Sequence, residues 1–334
     1  MEELVSIVVP VYNMGNSIEI CVSSLLRQDY DNIEILLVDD GSKDNRIRVY
    51  HTENRGSGPA RNTGIENAKG KYIYFPDADD QLEENAISIL VAGMQKGKYD
   101  LVVFGYKSLD KNGNTVLLKQ YPEMEKKGEA VRQDYSNYVA STRKYGIQGA
   151  PWNKLFDLSL IKMHSIEYPP LRRHQDEGFI SRYMCFCNNI HFIQPILYIH
   201  NLNDLKKEWD KYPVNYIDAV MGLYNIKKET ILTWNKKDKK TKTIIEHEYI
   251  CNVIKSLEMS YSPKMHMKSI DRIPWIRRQV EKAQVLYIDI PNTLGRYQRI
   301  VLMLIRKNHI KIALIIMRFK IEVEKRGALK LLRR

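Results

Sequence analysis

The chain has 334 residues, of which 44% are hydrophobic and 28% charged. This length and composition are typical of a soluble globular protein, and the sequence contains no repeat or low-complexity tract. Residues 1–202 carry 23 Lys and Arg against 26 Asp and Glu, whereas residues 203–334 carry 29 against 14. A basic surface that attracts an anionic partner is therefore expected in the last third of the chain.

The N-terminus, the apolar runs and the cysteines indicate a reducing, cytoplasmic setting. The first residues lead directly into a strand pattern, so no signal peptide is predicted. The apolar runs at 300–305 and 312–317 are too short to span a bilayer. The four cysteines form neither a disulfide framework nor a paired metal-ligand spacing. A cytoplasmic protein without membrane-spanning segments is therefore expected.

The first hundred residues alternate strand and helix patterns. Apolar runs typical of strands buried on both faces are followed by segments of helical periodicity. This alternation predicts an α/β fold built on a mostly parallel sheet with flanking helices. The predicted strands are 5–9, 33–38, 72–75 and 101–106, and the predicted helices are 17–27, 59–69 and 83–96.

The remainder of the chain changes character twice. Residues 107–150 are polar and weakly patterned, which predicts an irregular segment that lies over the functional site of the domain. From about Leu205 the pattern becomes helical and rich in lysine. We therefore predict a domain of residues 1–204, with halves of about 1–106 and 107–204, and a basic, mainly helical region of residues 205–334. Further elements are predicted at 135–142 (helix), 176–187 (helix) and 190–200 (strand).

Carboxylates follow two predicted strands at the points where the strands end. Asp39 and Asp40 follow the second strand, and Asp77, Asp79 and Asp80 follow the strand at 72–75. Ligands of open α/β sheets bind beyond the carboxyl ends of strands. Turn formation and helix capping are the alternative roles, but five neighbouring carboxylates repel each other unless a cation or donor groups neutralise them. These oxygen ligands suit Mg²⁺ or Mn²⁺ bound to a diphosphate.

Four segments resemble those of family 2 glycosyltransferases, which are inverting enzymes of the GT-A fold. The resemblance covers about residues 4–200 and implies a nucleotide-sugar co-substrate, most simply a UDP-sugar, together with a divalent metal (Mn²⁺ or Mg²⁺). It makes the first half of the domain the donor half and the second the acceptor half. The segments are "VSIVVPVYN", "IEILLVDDGSKDN", "ENRGSGPARNTGIENAKGKYIYFPDADD" and "APWNKLF".

The resemblance also assigns residues to the donor. It implies that Asp77 and Asp79 form a DxD pair that binds metal and diphosphate, and that Arg61 reaches toward the donor. Tyr12 has the alternative of an aromatic at the edge of the core, and Arg61 that of a partner for the acidic strand ends. The implied donor-binding residues are Pro10, Tyr12, Asp39, Asp40, Arg61, Asp77 and Ala78.

A general base is implied in the later segment "RRHQDEGFISRY". Asp176 and Phe179 match the family pattern, whereas Gln175 stands where the family usually has Glu. Asp176 is the predicted base that deprotonates an acceptor hydroxyl, and an ordinary helix N-cap is its alternative role. Glu177 is a second acid, in the wrong register.

Two aromatic residues, His200 at the end of a predicted strand and Trp152, have open roles. His200 is a candidate third metal ligand or phosphate contact, although a lone histidine is more often structural. Trp152, in "APWNKLF", stacks on a sugar ring or belongs to the core.

The short segment after Asp44 leaves no room for a crossover helix, so residues 46–51 are expected to pair unusually or to lie at the edge of the sheet.

The C-terminal residues 306–334 combine large aliphatic side chains with basic ones, which favours contact with an anionic membrane surface. A helix packed on the domain and a nucleic-acid contact are the alternatives, and no nucleic-acid partner is expected because the basic residues alternate with large aliphatic groups rather than with stacking aromatics. The basic residues are Lys307, Lys311, Arg318, Lys320, Lys325 and Arg326.

The complete set of motifs predicts a glycosyltransferase at the inner face of the cell membrane. It would transfer a single sugar to a glycan or lipid-linked glycan in cell-surface polysaccharide biosynthesis, since the Q-x-x-R-W string of processive family members is absent. The alternative is a non-catalytic nucleotide- or glycan-binding module that has lost its base, which Gln175 would permit.

Overall fold

A computed structural model describes residues 2–12, 17–38, 47–50, 55–140, 145–202, 212–236 and 238–325. The chain divides into two compact units. One comprises Met1–Leu205 and Ile226–Lys236, and the other Lys206–Asn225 and Lys237–Arg334.

A single sheet forms the core of the first unit. Its strands in chain order are β1 (Val5–Pro10), β2 (Ile33–Val38), β3 (Ile47–Val49), β4 (Tyr72–Tyr74), β5 (Gln81–Leu82), β6 (Leu101–Leu109), β7 (Thr115–Lys119), β8 (Met124–Lys127), β9 (Lys154–Asp157) and β10 (Asn189–Asn201). Their order in the sheet is β3-β2-β1-β4-β9-β6-β10-β5, with β7 paired to β6 and β8 to β10.

The sheet is mixed rather than mostly parallel. Strands β3, β2, β1 and β4 run parallel, as the alternation of strands and helices predicts. Strand β9 lies antiparallel between β4 and β6, and β5, β7 and β8 also pair antiparallel. Of these strands, β7 follows its partner β6 through a short turn, whereas β5, β8 and β9 pair with strands far away along the chain, so the alternation of strands and helices did not predict them. Residues 107–150 therefore contribute two strands that the polar pattern did not predict.

Helices of the first unit follow the predicted periodicities closely. They are α1 (Ser17–Leu26), α2 (Ser57–Asn67), α3 (Ala86–Gly97), α4 (Gly128–Gln133), α5 (Leu158–Met163) and α6 (Gln175–Tyr183). Helix α3 begins at Ala86 rather than at residue 83, because β5 pairs with β10 just before it. Helix α2 lies directly on β1, since a Cβ at Gly64 would stand 2.2 Å from Cγ1 of Val8.

Strand β3 resolves the short connection after β2. It pairs parallel with Ile35–Leu37 of β2 and lies at the edge of the sheet. An edge position is one of the two arrangements that the short connection predicted. The predicted donor residues Asp39 and Asp40 lie outside the described residues.

The described part of the second unit is helical, as the lysine-rich pattern predicts. Its helices are α8 (Lys239–Glu258), α9 (Ser269–Ala283), α10 (Arg296–Arg306) and α11 (Ile310–Lys325), while α7 (Tyr216–Thr233) contributes residues to both units. Glu258 is buried and accepts hydrogen bonds from Lys320 Nζ (2.9 Å) and Tyr297 Oη (2.7 Å). None of the described helices is long and apolar enough to cross a membrane.

Candidate active site

The acidic segment that follows β4 is held by the carboxyl end of β10. The backbone N–H of Asp77 donates to Tyr198 Oη (3.1 Å), and the Tyr198 hydroxyl donates to Asp80 Oδ2 (2.6 Å). The backbone N–H of Asn201 donates to the other oxygen of Asp80 (2.7 Å). Burial raises the pKa of Asp80 to about 8 against the effect of these two hydrogen bonds. Asp80 therefore anchors the segment, while Asp77 and Asp79 remain half-buried.

Arg61 joins this segment to the predicted base. Its guanidinium binds Asp77 Oδ1 through Nη2 at 2.6 Å and Asp176 Oδ1 through Nη1 at 2.9 Å. The Arg61 side chain is 3% exposed, and it lies over the ring of Tyr168, with Cζ 5.3 Å from the ring centroid. Two carboxylates 99 positions apart in the sequence therefore share one cation. Arg61 therefore pairs with the acidic segment after β4, which is one of the two compatible roles predicted for it.

The charges around Arg61 oppose the cost of burial. Burial acts to lower the pKa of Arg61, but Asp176, Tyr168 and Asp77 raise it overall. Burial likewise raises the pKa of Asp77 and of Asp176, and the guanidinium is the main group that lowers both. Arg61 thus compensates the charges of Asp77 and Asp176, which lie on either side of it, while burial makes both carboxylates more basic than usual.

Asp176 lies in the first turn of α6, and the helix-capping role is wrong. The N-cap is His174, in the left-handed conformation at φ 64°, and the Asp176 side chain points to Arg61. The neighbouring Glu177 binds elsewhere, to His174 Nδ1 (2.9 Å) and Lys227 Nζ (3.0 Å). Burial raises the pKa of Glu177, but Lys227 and His174 outweigh it and lower that pKa to about 2.

His200 is oriented by two neighbours. Its Nδ1 is 3.2 Å from Ser108 Oγ on the adjacent strand β6, and its ring stacks on Trp152 at a centroid distance of 5.5 Å. Burial lowers the pKa of His200, and the charges of Asp77 and Asp79 oppose that shift. The ring is thus favoured in its neutral form, close to the acidic pair, with Nδ1 engaged by the serine.

Trp152 belongs to the core rather than to an open platform. It is 9% exposed and stacks on Tyr198 at a centroid distance of 4.5 Å with an interplanar angle of 6°. Tyr106 meets its ring edge-on at 4.6 Å. The indole therefore supports Tyr198 and His200 from one side, which is the structural alternative that the sequence left open.

A divalent cation in this region would depend on its substrate for most of its ligands. Among the described residues no group of three or more acidic, histidine or cysteine side chains is placed to hold a metal ion. Mg²⁺ and Mn²⁺ sites of nucleotide enzymes commonly use one or two carboxylates and leave the other positions to phosphate and water. Asp79 and His200 interact electrostatically and are the side chains that such a cation would use, while Asp77 is engaged by Arg61.

The remaining predicted donor residues have varied surroundings. Pro10 ends β1 opposite Val38. Tyr12 is 56% exposed, so it is not part of the core edge. The Ala78 side chain is buried in the core, which leaves only its backbone to face a ligand.

Sequence reasoning missed three side chains around the site. Tyr198 and Ser108 carry no charge and stand on strands that looked structural. Lys154 is buried, and its Nζ donates to Ala150 O (2.8 Å) and Asn153 Oδ1 (2.7 Å). Burial lowers the pKa of Lys154 to about 7, and the charge of Asp176 opposes this shift. A lysine directly before the apolar pair Leu155 and Phe156 was the available signal.

Comparison with known proteins identifies the family. The sequence profile described as Glycosyl transferase family 2 matches residues 6–147. Glycosyltransferase GlyG of Streptococcus pneumoniae serotype 4 is 34% identical over 216 residues, which cover 60% of this chain and 71% of GlyG. Putative glycosyltransferase EpsH of Bacillus subtilis is 29% identical over 273 residues, covering 74% of this chain and 76% of EpsH.

Solved structures give the same fold. TarS 1–349 of S. aureus superposes with a TM-score of 0.63 at 18% identity and covers 97% of this chain and 92% of its own. The complex of TarS 1–349 with UDP-GlcNAc superposes with a TM-score of 0.64 at 17% identity and the same coverage. The GT-A fold that the sequence motifs implied is confirmed. The chain belongs to glycosyl transferase family 2.

Proposed function

Within this family, we propose that the chain is an inverting, metal-dependent transferase that moves one sugar from a UDP-sugar to a glycan or lipid-linked glycan. The acceptor belongs to cell-surface polysaccharide biosynthesis, as the sequence motifs imply. Asp176 is the general base, and Asp79 with His200 holds the divalent cation. Asp77, Pro10, Tyr12, Asp39, Asp40, Arg61 and the backbone of Ala78 border the donor.

The observation that carries this proposal is the shared cation Arg61. It holds Asp77, next to the proposed metal ligand Asp79, and Asp176 at 2.6 and 2.9 Å. A base for the acceptor must stand beside the anomeric carbon of the donor, so a structure that joins the two carboxylates through one side chain brings the two half-sites together. A binding module without catalysis has no need of this arrangement.

The chain's own groups account for the chemistry of the transfer. The carboxylate of Asp176 takes the proton of the acceptor hydroxyl while that oxygen forms its bond to the anomeric carbon. The bond between the anomeric carbon and the diphosphate oxygen breaks on the opposite side, and the configuration inverts. Burial makes Asp176 more basic than an ordinary aspartate, while Arg61 keeps it ionised. Asp79 and His200 would hold a divalent cation, which would supply positive charge to the leaving diphosphate.

The choice of a uridine donor rests on a structural relative. TarS 1–349, which shares the fold, has been solved with UDP-GlcNAc. The sequence identity of 17% transfers the fold and leaves the sugar open.

Two substitutions test the proposal. Asp176→Asn is expected to lower donor turnover by a factor of about 10² to 10⁴, because the proton acceptor is lost, and to leave the Kd for UDP with Mn²⁺ unchanged. Asp79→Ala is expected to remove the Mn²⁺-dependent part of UDP binding in a thermal-shift titration. Full turnover in Asp176→Asn, or metal-dependent binding in Asp79→Ala, contradicts the assignment.

Contact with the inner face of the cell membrane is part of the proposal. Helix α11 exposes Ile312, Ile315 and Phe319 along one side, and the exposed Lys311 and Arg318 border that row. Large aliphatic and aromatic groups beside cations favour the interface of an anionic bilayer. Lys320 is instead engaged by Glu258, the side chain of Lys325 is not described, and Arg326 lies outside the described residues.

Vesicle sedimentation tests this contact. The protein is expected to bind vesicles that contain phosphatidylglycerol, to bind phosphatidylcholine vesicles weakly, and to lose most binding in Ile315→Asp. Ile270→Asp is the matched control, because Ile270 is also highly exposed but stands on α9. Equal sedimentation of the two variants would refute the surface.

A further inference from the structure

Gln175, which stands where the family usually has Glu, contacts the start of α2. Its Nε2 donates to Ser57 Oγ, and its Oε1 accepts the backbone N–H of Gly58 at 3.1 Å. A Cβ at position 58 would stand 2.7 Å from that Oε1, so a larger residue there would displace the Gln175 amide. Both ends of the side-chain amide, the donor and the acceptor, are therefore engaged at the start of α2.

The start of α2 has no cap of its own. Gly56 occupies the N-cap position at φ 101° and provides no side chain. The first N–H groups of a helix need acceptors from outside the helix, and here a residue 117 positions away supplies one. Gln175 thus replaces the local cap and ties α2 to α6.

A second tie lies one turn further along α2. Asn62 Nδ2 donates to the carbonyl of Tyr168 (3.0 Å), and the N–H of Tyr168 donates to Asn62 Oδ1 (2.8 Å). Arg61 stands between the two ties, and Gly64 seats the helix on β1. Helix α2 is consequently fixed to the sheet on one side and to the chain leading into α6 on the other.

We infer that Gln175 is a positioning residue: by fixing the start of α2 against α6, it keeps Arg61 in contact with both Asp77 and Asp176. This inference rests on the proposed function, because it assigns the catalytic step to Asp176. Loss of the amide lets α2 shift, and a displacement of about 1 Å at a reacting group is enough to slow a reaction by up to about 10². In the sequence, Gln175 instead permits the alternative of a binding module that has lost its base.

The test compares Gln175→Leu with Gln175→Glu. Leucine removes both hydrogen bonds and is expected to lower kcat about tenfold or more, with the Kd for UDP and Mn²⁺ within about twofold of wild type. Glutamate accepts from Gly58 N–H and from the Ser57 hydroxyl, so kcat is expected within about threefold of wild type. Hydrogen exchange of residues 57–62 is expected to accelerate in the leucine variant only.

Gln28→Leu is the control for a loss of stability alone. Gln28 is buried and bonds to Ser24 O, Glu83 O and Ile87 N, away from α2. It is expected to lower Tm without changing kcat below the transition. Should Gln175→Leu fail to fold, Ser57→Ala removes one of the two contacts, and an intermediate fall in kcat is expected.

Three results overturn the inference. They are an unchanged kcat and unchanged exchange in Gln175→Leu, an equal fall of kcat in Gln28→Leu, and a tenfold gain of kcat in Gln175→Glu, which would mark Gln175 as a degraded catalytic acid. A wild type that consumes no donor refutes the proposed function instead, and the exchange experiment then still tests the tie between α2 and α6.

Discussion

Replacement of Arg61 by methionine removes the shared cation while filling much of its volume. Breaking a buried ion pair by deleting one partner costs about 3–5 kcal/mol. Here the Asp77 and Asp176 side chains keep 38% and 34% of their exposure, so water compensates part of the loss. We expect a destabilisation of about 2–3 kcal/mol, which for a unit of this size is a fall in Tm of about 4–12 °C. Turnover is expected to fall by at least about 10² because the base and the donor half lose their common anchor.

The matched control is Arg27→Met. Arg27 pairs with Glu84 at 3.5 Å, but both side chains are mostly exposed, and such surface pairs contribute about 0–1 kcal/mol. Arg61→Lys separates charge from geometry: a lysine keeps the positive charge but cannot span two carboxylates as a planar fork does, so stability is largely retained and turnover still falls. Differential scanning fluorimetry and donor hydrolysis measure both quantities. An Arg61→Met variant with the Tm and turnover of the control refutes the reasoning.

Three further predictions concern buried charges. The Glu177→Gln variant is expected to be about 2–3 kcal/mol less stable than wild type at pH 7, because the pKa of Glu177 is lowered to about 2 in the fold. This difference in stability shrinks as pH falls below about 4.5, and denaturant titrations at pH 7 and pH 4 measure it. Turnover is expected to stay within a few-fold of wild type. Between about pH 7 and its ordinary pKa of 10.5, Lys154 binds fewer protons in the folded than in the unfolded chain. Wild type is therefore expected to gain stability relative to Lys154→Met as pH rises through that range. A stability difference that does not change with pH contradicts this. Glu258→Ala leaves two lysines without their buried carboxylate and is expected to cost about 2–4 kcal/mol in urea unfolding, whereas equal midpoints would show that the pairs contribute nothing.

The acidic cluster could be predicted because its signal is local. A buried strand and the carboxylates that follow it are adjacent in the sequence, and the sheet geometry then gathers strand ends at one edge. The same local logic predicted the parallel strands β1, β2 and β4 and the helices between them. Strands β7 and β8 escaped because their side chains are largely exposed, so neither shows the burial that produces a strand pattern.

The contacts that join the half-sites could not be predicted in the same way. Gln175 meets Gly58, and Arg61 meets Asp176, across more than 110 intervening positions, and no periodicity encodes such a pairing. A glutamine in place of a glutamate reads as a loss when it is compared with a motif. In the fold its amide has both a donor and an acceptor role, which a motif comparison cannot register.

The structure also divides the three carboxylates after β4 into distinct environments. As a local run they predict one site of equivalent ligands, and mutual repulsion is then the main difficulty. In the fold, Asp80 is buried under Tyr198 and Asn201, and Asp77 is compensated by Arg61. Asp79 is half-buried, and its charge, like that of Asp77, acts on His200. Repulsion within the run is thus relieved in different ways at Asp77 and at Asp80, so the three carboxylates are not the equivalent ligands that a local run predicts.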